Sequence, residues 1–196
     1  MLLKNISFIK SAAKEGDFLD TDKPLIAVCG KSNVGKSSFI NMLANMNKLA
    51  KTSDTPGRTR LVNYFDFDKF VLADLPGYGF ARVSKEEKNK WAVTLQSFFD
   101  RGGLKHVFVL LDIRHKPTAE DIDMINYLYH YALPFSVIAT KADKLGKSRV
   151  KPAVRELAAA VRMGEDNVIA VSSVKKSGRE ETLAKIESIL FPAETL

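Results

Sequence analysis

Cysteine is almost absent from this chain, with one residue, Cys29, among 196. An internal disulfide is excluded, and with it the small stapled domain classes. Cys29 falls inside an apolar run, where core packing is one reading and a reactive thiol the other. Long apolar runs are also missing. Residues 107–111 make a run as long as any in the chain, far short of the roughly twenty residues that span a bilayer. The first residues mix Lys4, Asn5, Lys10 and Lys14 with scattered apolar side chains, unlike the apolar stretch of a secretion signal. A soluble cytoplasmic protein without membrane insertion is expected. Tryptophan and glutamine occur once each, at Trp91 and Gln96. His106, His115 and His130 are not spaced as metal ligands, and no repeat or low-complexity segment is present.

Acidic residues are outnumbered, 23 against 30 Lys and Arg, for a formal charge of +7. That balance suits an anionic partner, although charge alone does not choose among RNA, DNA and lipid. The excess is clustered at Lys141, Lys144, Lys147, Arg149, Lys151 and Arg155, and again at Lys48, Lys51, Arg58 and Arg60. Either cluster reads equally well as a solvated face or as a binding patch. With 45% hydrophobic residues, the chain can build one ordinary core.

What is present is more specific. Gly30-Lys31-Ser32-Asn33-Val34-Gly35-Lys36-Ser37 spells GxxxxGKS. Glycines let the backbone turn so tightly that successive NH groups face phosphate oxygens. The lysine adds a charge, and the serine hydroxyl can bind Mg²⁺. Such a loop needs a strand before it and a helix after it. Residues 25–29 read as a buried strand, and Phe39, Ile40, Leu43 and Met46 repeat at helical spacing.

The polar stretch 48–60 reads as a mobile loop, followed by two strands, 62–67 and 70–73, joined at Asp68-Lys69 as a hairpin. Residues 84–100 read as a helix with Trp91, Leu95, Phe98 and Phe99 on one face. Core packing suits Trp91 better than partner contact. Strands at 107–112, 135–139 and 168–171 then alternate with helices at 118–131, 148–163 and 178–190, the second of them ended by Gly164. Alternation of this kind predicts an α/β fold with a mostly parallel sheet and helices on both faces, where ligands bind beyond the carboxyl ends of the strands.

Chemistry-bearing residues stand at those ends. Asp74-Leu75-Pro76-Gly77 reads DxxG, whose carboxylate can hold Mg²⁺ through water while its glycine NH reaches a γ-phosphate. Thr140-Lys141-Ala142-Asp143 reads TKxD, a variant of NKxD. Its carboxylate can accept two hydrogen bonds from guanine that adenine does not offer in that arrangement. Ser172-Ser173-Val174 follows the last strand and can present a backbone NH to the guanine oxygen.

The set GKSNVGKSS, DTPGRTR, DLPGYGFA, DIRHKPT, TKAD and SS resembles the EngB (YihA/YsxC-like) family of bacterial GTPases, in the Era- and TrmE-related branch. The resemblance runs from residues 8–12 to the last helix. It implies a three-layer P-loop NTPase G domain, residues 24–196, with a six-stranded, mostly parallel sheet and one antiparallel strand. Residues 1–23 would be an extension packed on or flanking it. It implies Thr59 as the switch I threonine, completing Mg²⁺ coordination with Ser37 and, through water, Asp74. Ser38, Gly57, Arg58, Arg60 and Leu61 would join the GTP site. Lys36, Asn33 and Thr59 would be the catalytic set. Thr140 stands where Asn is commoner, a departure the family shares, and its hydroxyl can make only part of an amide's contacts.

Ras-like enzymes orient the attacking water with a Gln after DxxG. Here that residue is Tyr78, so slow hydrolysis is expected. Asn33 either helps place a K⁺ ion against the phosphates or merely makes the tight turn. The family implies a monomeric switch that binds GTP and GDP, acts on ribosomal RNA or a large-subunit precursor during ribosome assembly, and is needed for normal division and septation. No DNA partner is expected. The alternative is a division-site interaction protein in which hydrolysis is secondary. Lys36→Ala should abolish tight nucleotide binding, and titration with labelled GTP checks this: an unchanged affinity would refute the phosphate-loop reading.

Overall fold

In the computed structural model, residues 1–51, 61–79 and 85–192 are described, with backbone only at 85, 87, 88, 90 and 91. The described residues form β1 (Ser7–Ala12), β2 (Leu25–Gly30), β3 (Val62–Asp66), β4 (Val71–Asp74), β5 (Leu104–Asp112), β6 (Phe135–Thr140) and β7 (Val168–Ala170). They also form helices α1 (Lys36–Ala44), α2 (Lys85–Asp100), α3 (Ala119–His130), α4 (Lys147–Ala160) and α5 (Arg179–Leu190). The strands make one sheet in the order β1-β3-β4-β2-β5-β6-β7. All neighbours pair parallel except β3, which is antiparallel to both β1 and β4.

Every residue of β2 is buried, as a central parallel strand covered on both faces requires. Its two-residue alternation sorts the helices. Leu25, Ala27 and Cys29 share a core with Phe98 of α2, Leu128 of α3 and Leu157 of α4. Ile26 and Val28 share the other with Phe39 and Leu43 of α1 and Ile186 of α5. Phe39 and Leu43 are wholly buried, and each such side chain contributes about 1.5–3 kcal/mol. They hold the start of α1 against the end of β2. The Cys29 thiol is pushed up to about 12 by burial, which outweighs the opposing charge of Lys36. Of its two readings, core packing stands. The side chain of Trp91 lies outside the described residues.

The expected three-layer α/β arrangement is observed, with seven strands in place of six. The added strand is β1, which zips against β3 and carries an exposed edge interrupted by an irregularity between Phe8 and Lys10. Its sequence hid it, because five of its six residues are exposed. Phe8 meets Phe65 edge-on at 5.6 Å, and Ser11 Oγ donates to Asn63 Oδ1 at 2.6 Å. Arg101 donates to the carbonyl of Leu19 and the hydroxyl of Tyr64, tying residues before β2 to the sheet. The hairpin expected at Asp68-Lys69 is present, with Asp68 in the left-handed region at φ 64°. Helix α4 stops earlier than expected. Arg162 takes the left-handed conformation (φ 57°) and ends it, whereas Gly164 has φ −69°. No helix among the described residues is long and apolar enough to cross a membrane.

His106 in β5 is buried, with Nε2 3.0 Å from Ser136 Oγ. Burial, reinforced by the charge of Lys185, lowers its pKa from 6.5 to about 4. Between those values the unfolded chain binds a proton that the folded chain excludes, so His106 makes stability fall as pH drops through that window. Urea unfolding of the wild type and His106→Gln at pH 7 and pH 4.5 should show the stability gap narrowing, by roughly 2 kcal/mol. A gap independent of pH would refute it.

Candidate nucleotide-binding site

The five mutually parallel strands β2, β4, β5, β6 and β7 end on one edge of the sheet. Their last residues lead into the loops at 30–35, 75–79, 113–118, 141–146 and 171–178. Because β3 runs the opposite way, Leu61 and the start of β3 lie on that edge too, and Asn63 pairs with Asp74. Gly57, Arg58, Thr59 and Arg60 lie outside the described residues. The stretch 48–60 is anchored on its near side by Asn41, whose amide exchanges hydrogen bonds with Ala50 N and O at 2.7 and 2.9 Å.

The loop after β2 has a glycine at each end for separate reasons. A Cβ on Gly30 would lie 2.9 Å from both Leu110 O and Val34 Cγ1. Gly35 has φ 108°, the left-handed half of the map, and caps α1 without a side chain. Between them Asn33 also turns left-handed, at φ 63°, and its side chain is exposed. The loop's carbonyls are turned away and engaged. Gly30 O accepts from Tyr78 N (3.4 Å), Lys31 O from Val34 N (3.1 Å), Asn33 O from Lys141 Nζ (3.0 Å) and Val34 O from Thr140 Oγ1 (2.8 Å). Lys36, Ser37 and Ser38 form the first turn of α1, where amides have no intrahelical acceptor and the helix dipole favours an anion.

The DxxG segment packs on this loop. Leu75 N donates to Val28 O at 2.9 Å, Ser32 N donates to Tyr78 O at 2.9 Å, and Lys31 bridges Tyr78 as an isolated strand pair. Gly77 is so close that a Cβ there would lie 3.3 Å from Lys36 Nζ and from Ser32 N. Asp74 is buried, 3.9 Å from Lys36 Nζ, and its Oδ1 has no hydrogen-bond partner among the described residues. Burial raises its pKa, with Lys36 and a hydrogen bond from Asn63 opposing. A buried carboxylate oxygen aimed near Lys36 and left without a donor fits a hydrated divalent cation.

Tyr78, noted in the sequence only for standing where Gln would be, is turned into the core. Its hydroxyl donates to Asp121 Oδ1 of α3 at 2.9 Å, and burial together with anionic neighbours keeps it protonated. Lys31 reaches Glu120 at 3.6 Å.

On the other side, Thr140 Oγ1 lies within reach of two carbonyls, Val34 O at 2.8 Å and Leu111 O at 3.1 Å. Lys141 Nζ bridges Asn33 O and Asp112 Oδ2 (2.9 Å), and Asp112 takes a second cation in a two-point contact with Arg114 (2.9 and 2.7 Å). Burial opposes ionisation of Asp112, but the bonds from Arg114 and Lys141 outweigh it and hold its pKa well below the usual range. Ser172 Oγ donates to Asp143 Oδ1 at 2.7 Å, lowering its pKa, and Ala142 N donates to Val171 O at 3.0 Å, so the two base-side loops are joined. Ser172 N donates to Ser177 O at 3.1 Å, and Val174, two residues on, is exposed. Lys31 to Val34, Asp112, His115, Thr118, Asp121 and Lys141 surround a cleft of about 290 Å³.

The structure thus brings the segments 30–38, 74–77, 140–143 and 172–174 to one edge. Sequence reasoning passed over Asp112, Asp121, Asn63 and Asn41. Asp112 was within its reach, since it ends a strand as Asp74 does. The others were not, because each acts across the fold.

A family model described as 50S ribosome-binding GTPase matches residues 25–141. A probable GTP-binding protein EngB of Caldanaerobacter subterraneus subsp. tengcongensis is 42% identical over 192 residues, covering 97% of this chain and 99% of its own length. One from Clostridium perfringens strain 13 is 45% identical over 184 residues, 92% of this chain and 93% of its own. Among solved structures, a probable GTP-binding protein engB has a TM-score of 0.71 at 21% identity, covering 85% of this chain and 98% of its own. Era in complex with MgGDPNP and nucleotides of 16S ribosomal RNA has a TM-score of 0.69 at 22% identity, over 90% of this chain and 60% of its own. These two structures agree in fold, while full-length relatives above 40% identity give the kinship: the chain belongs to the EngB family of GTP-binding proteins, built on a GTPase domain.

Proposed function

We propose that the protein is a slow, Mg²⁺-dependent GTPase that acts in the cytoplasm as a monomeric switch in assembly of the large ribosomal subunit. The observation that carries the switch is how close Gly77 lies to the phosphate loop, where a Cβ would fall 3.3 Å from both Lys36 Nζ and Ser32 N. A DxxG glycine resting on the phosphate loop is where a γ-phosphate is sensed. In this reading residues 24–196 work as one G domain, with residues 1–23 extending its sheet edge.

Lys36 and the first-turn amides of α1 bind the phosphates, and Asp143, aligned by Ser172, reads guanine while the Lys141 stem covers the base. Mg²⁺ would be held by Ser37, Thr59 and, through water, Asp74, whose Oδ1, without a partner among the described residues, is suited to that water. When bound, it would neutralise charge on the transferring phosphoryl group. The Tyr78 hydroxyl is engaged by Asp121 and points into the core, which supports slow unaided turnover. The left-handed turn at Asn33 accounts for an asparagine there, and its exposed side chain is also free to help place K⁺.

Ribosomal RNA or a large-subunit precursor is the partner that the family description and the +7 charge support. Turnover in KCl should exceed that in NaCl, and equal rates would remove the potassium role. Co-sedimentation with ribosomal subunits should depend on a non-hydrolysable GTP analogue and weaken steeply as salt is raised. Absence of association with either subunit would sink the assembly reading and favour a direct role in division.

A further inference from the structure

Tyr78 is gripped at both ends. Its side chain is buried, and its hydroxyl donates to Asp121 Oδ1 at 2.9 Å. The other oxygen of Asp121 is fixed in turn, accepting from Thr118 N at 2.8 Å and Thr118 Oγ1 at 2.9 Å. The first of those bonds is one half of the capping box of α3, whose other half is the Thr118 side chain accepting from the Asp121 backbone, so Asp121 cannot swing without loosening that helix. The main chain of Tyr78 is held from the opposite direction: its carbonyl accepts from Ser32 N, and its NH donates to Gly30 O. The residue therefore ties the phosphate loop to the first turn of α3.

Gly77 precedes this clamp by one residue, and its place beside Lys36 Nζ follows from it. We propose that the Tyr78 hydroxyl, held by Asp121, is a positioning latch that sets Gly77 on the phosphate loop and thereby sets the preference for nucleoside triphosphate over diphosphate. The inference rests on the GTP-switch reading. A diphosphate has no γ-phosphate to meet the Gly77 amide, so loosening that residue should not cost it affinity. A triphosphate gains from an amide already in position, because an ordered donor has no freedom left to lose on binding. A tyrosine that merely filled the core would affect both nucleotides alike, through folding stability.

The test uses the full-length protein with Mg²⁺. Dissociation constants for GDP and for guanylyl imidodiphosphate are measured on the wild type, Tyr78→Phe, Asp121→Ala and the double variant, with thermal unfolding of each. Phenylalanine keeps the ring and removes only the donor. With the latch, Tyr78→Phe keeps GDP affinity within about twofold and weakens the triphosphate analogue about tenfold, the scale of a hydrogen bond to a carboxylate. Adding it to Asp121→Ala should then cause no further loss. An unchanged affinity ratio in Tyr78→Phe, with or without a lower melting temperature, overturns the latch. So do losses that add in the double variant. If Asp121→Ala does not fold, the ratio in Tyr78→Phe alone decides. A wild type that binds GDP but neither the analogue nor GTP defeats the switch reading itself and the latch with it. A wild type that turns over GTP beside an unchanged Tyr78→Phe ratio defeats only the latch.

Discussion

Everything at this site depends on where the carbonyls of the phosphate loop are sent. A loop can offer its NH groups to phosphate only if its C=O groups are satisfied on the far side, since a peptide unit cannot be turned with one end unaccounted for. Here the accounting is done by residues distant in the chain: Tyr78 for Gly30, Lys141 for Asn33 and Thr140 for Val34. Each stands at or just beyond the carboxyl end of a parallel strand, Thr140 closing β6 and Lys141 and Tyr78 following β6 and β4. The sheet is thus more than a platform, because its common edge supplies the acceptors' partners and so sets the direction of the donors.

The same bonds join the phosphate half of the site to the base half. Thr140 and Lys141 begin the TKxD segment, and through Val34 and Asn33 they hold it against the phosphate loop. The Thr140 hydroxyl has a single proton and two carbonyls within reach, Val34 O and Leu111 O, so it makes this tether with fewer donors than an asparagine amide would supply. Lys141 compensates in part. Its ammonium has three protons, and Asp112, kept ionised by Arg114, fixes it as it reaches Asn33. Asp112, at the end of β5, thereby orients the lysine of the TKxD segment.

The DxxG side is built differently, around burial. Asp74 is sunk beside Lys36 with one oxygen lacking a hydrogen-bond partner among the described residues, and Tyr78 is sunk with its hydroxyl on α3. Unpaired buried polar atoms are costly, and among the described residues Asp74 Oδ1 is one that carries this cost. The satisfied hydroxyl of Tyr78 marks a position meant to stay put.

Local order was legible in the chain. The parallel strands announced themselves because burial on both faces demands unbroken apolar runs, and the phosphate, DxxG and TKxD segments did so because glycine, lysine and carboxylate at those spacings have few other uses. The residues 25–29 could be read as a buried strand from themselves alone. Strand β1 could not, since an exposed edge strand needs no apolar alternation and is defined by its partner β3. Nor could the end of α4 at Arg162, where a left-handed turn was taken by a residue with a side chain in preference to the glycine nearby. Which chemical groups the protein would use was therefore set by the sequence, through spacing and residue type. Which of them would touch was decided only by the tertiary structure, because the bonds from Tyr78 to Asp121, Thr140 to Val34 and Ser172 to Asp143 join residues between 29 and 106 positions apart. No local pattern encodes contacts at that separation.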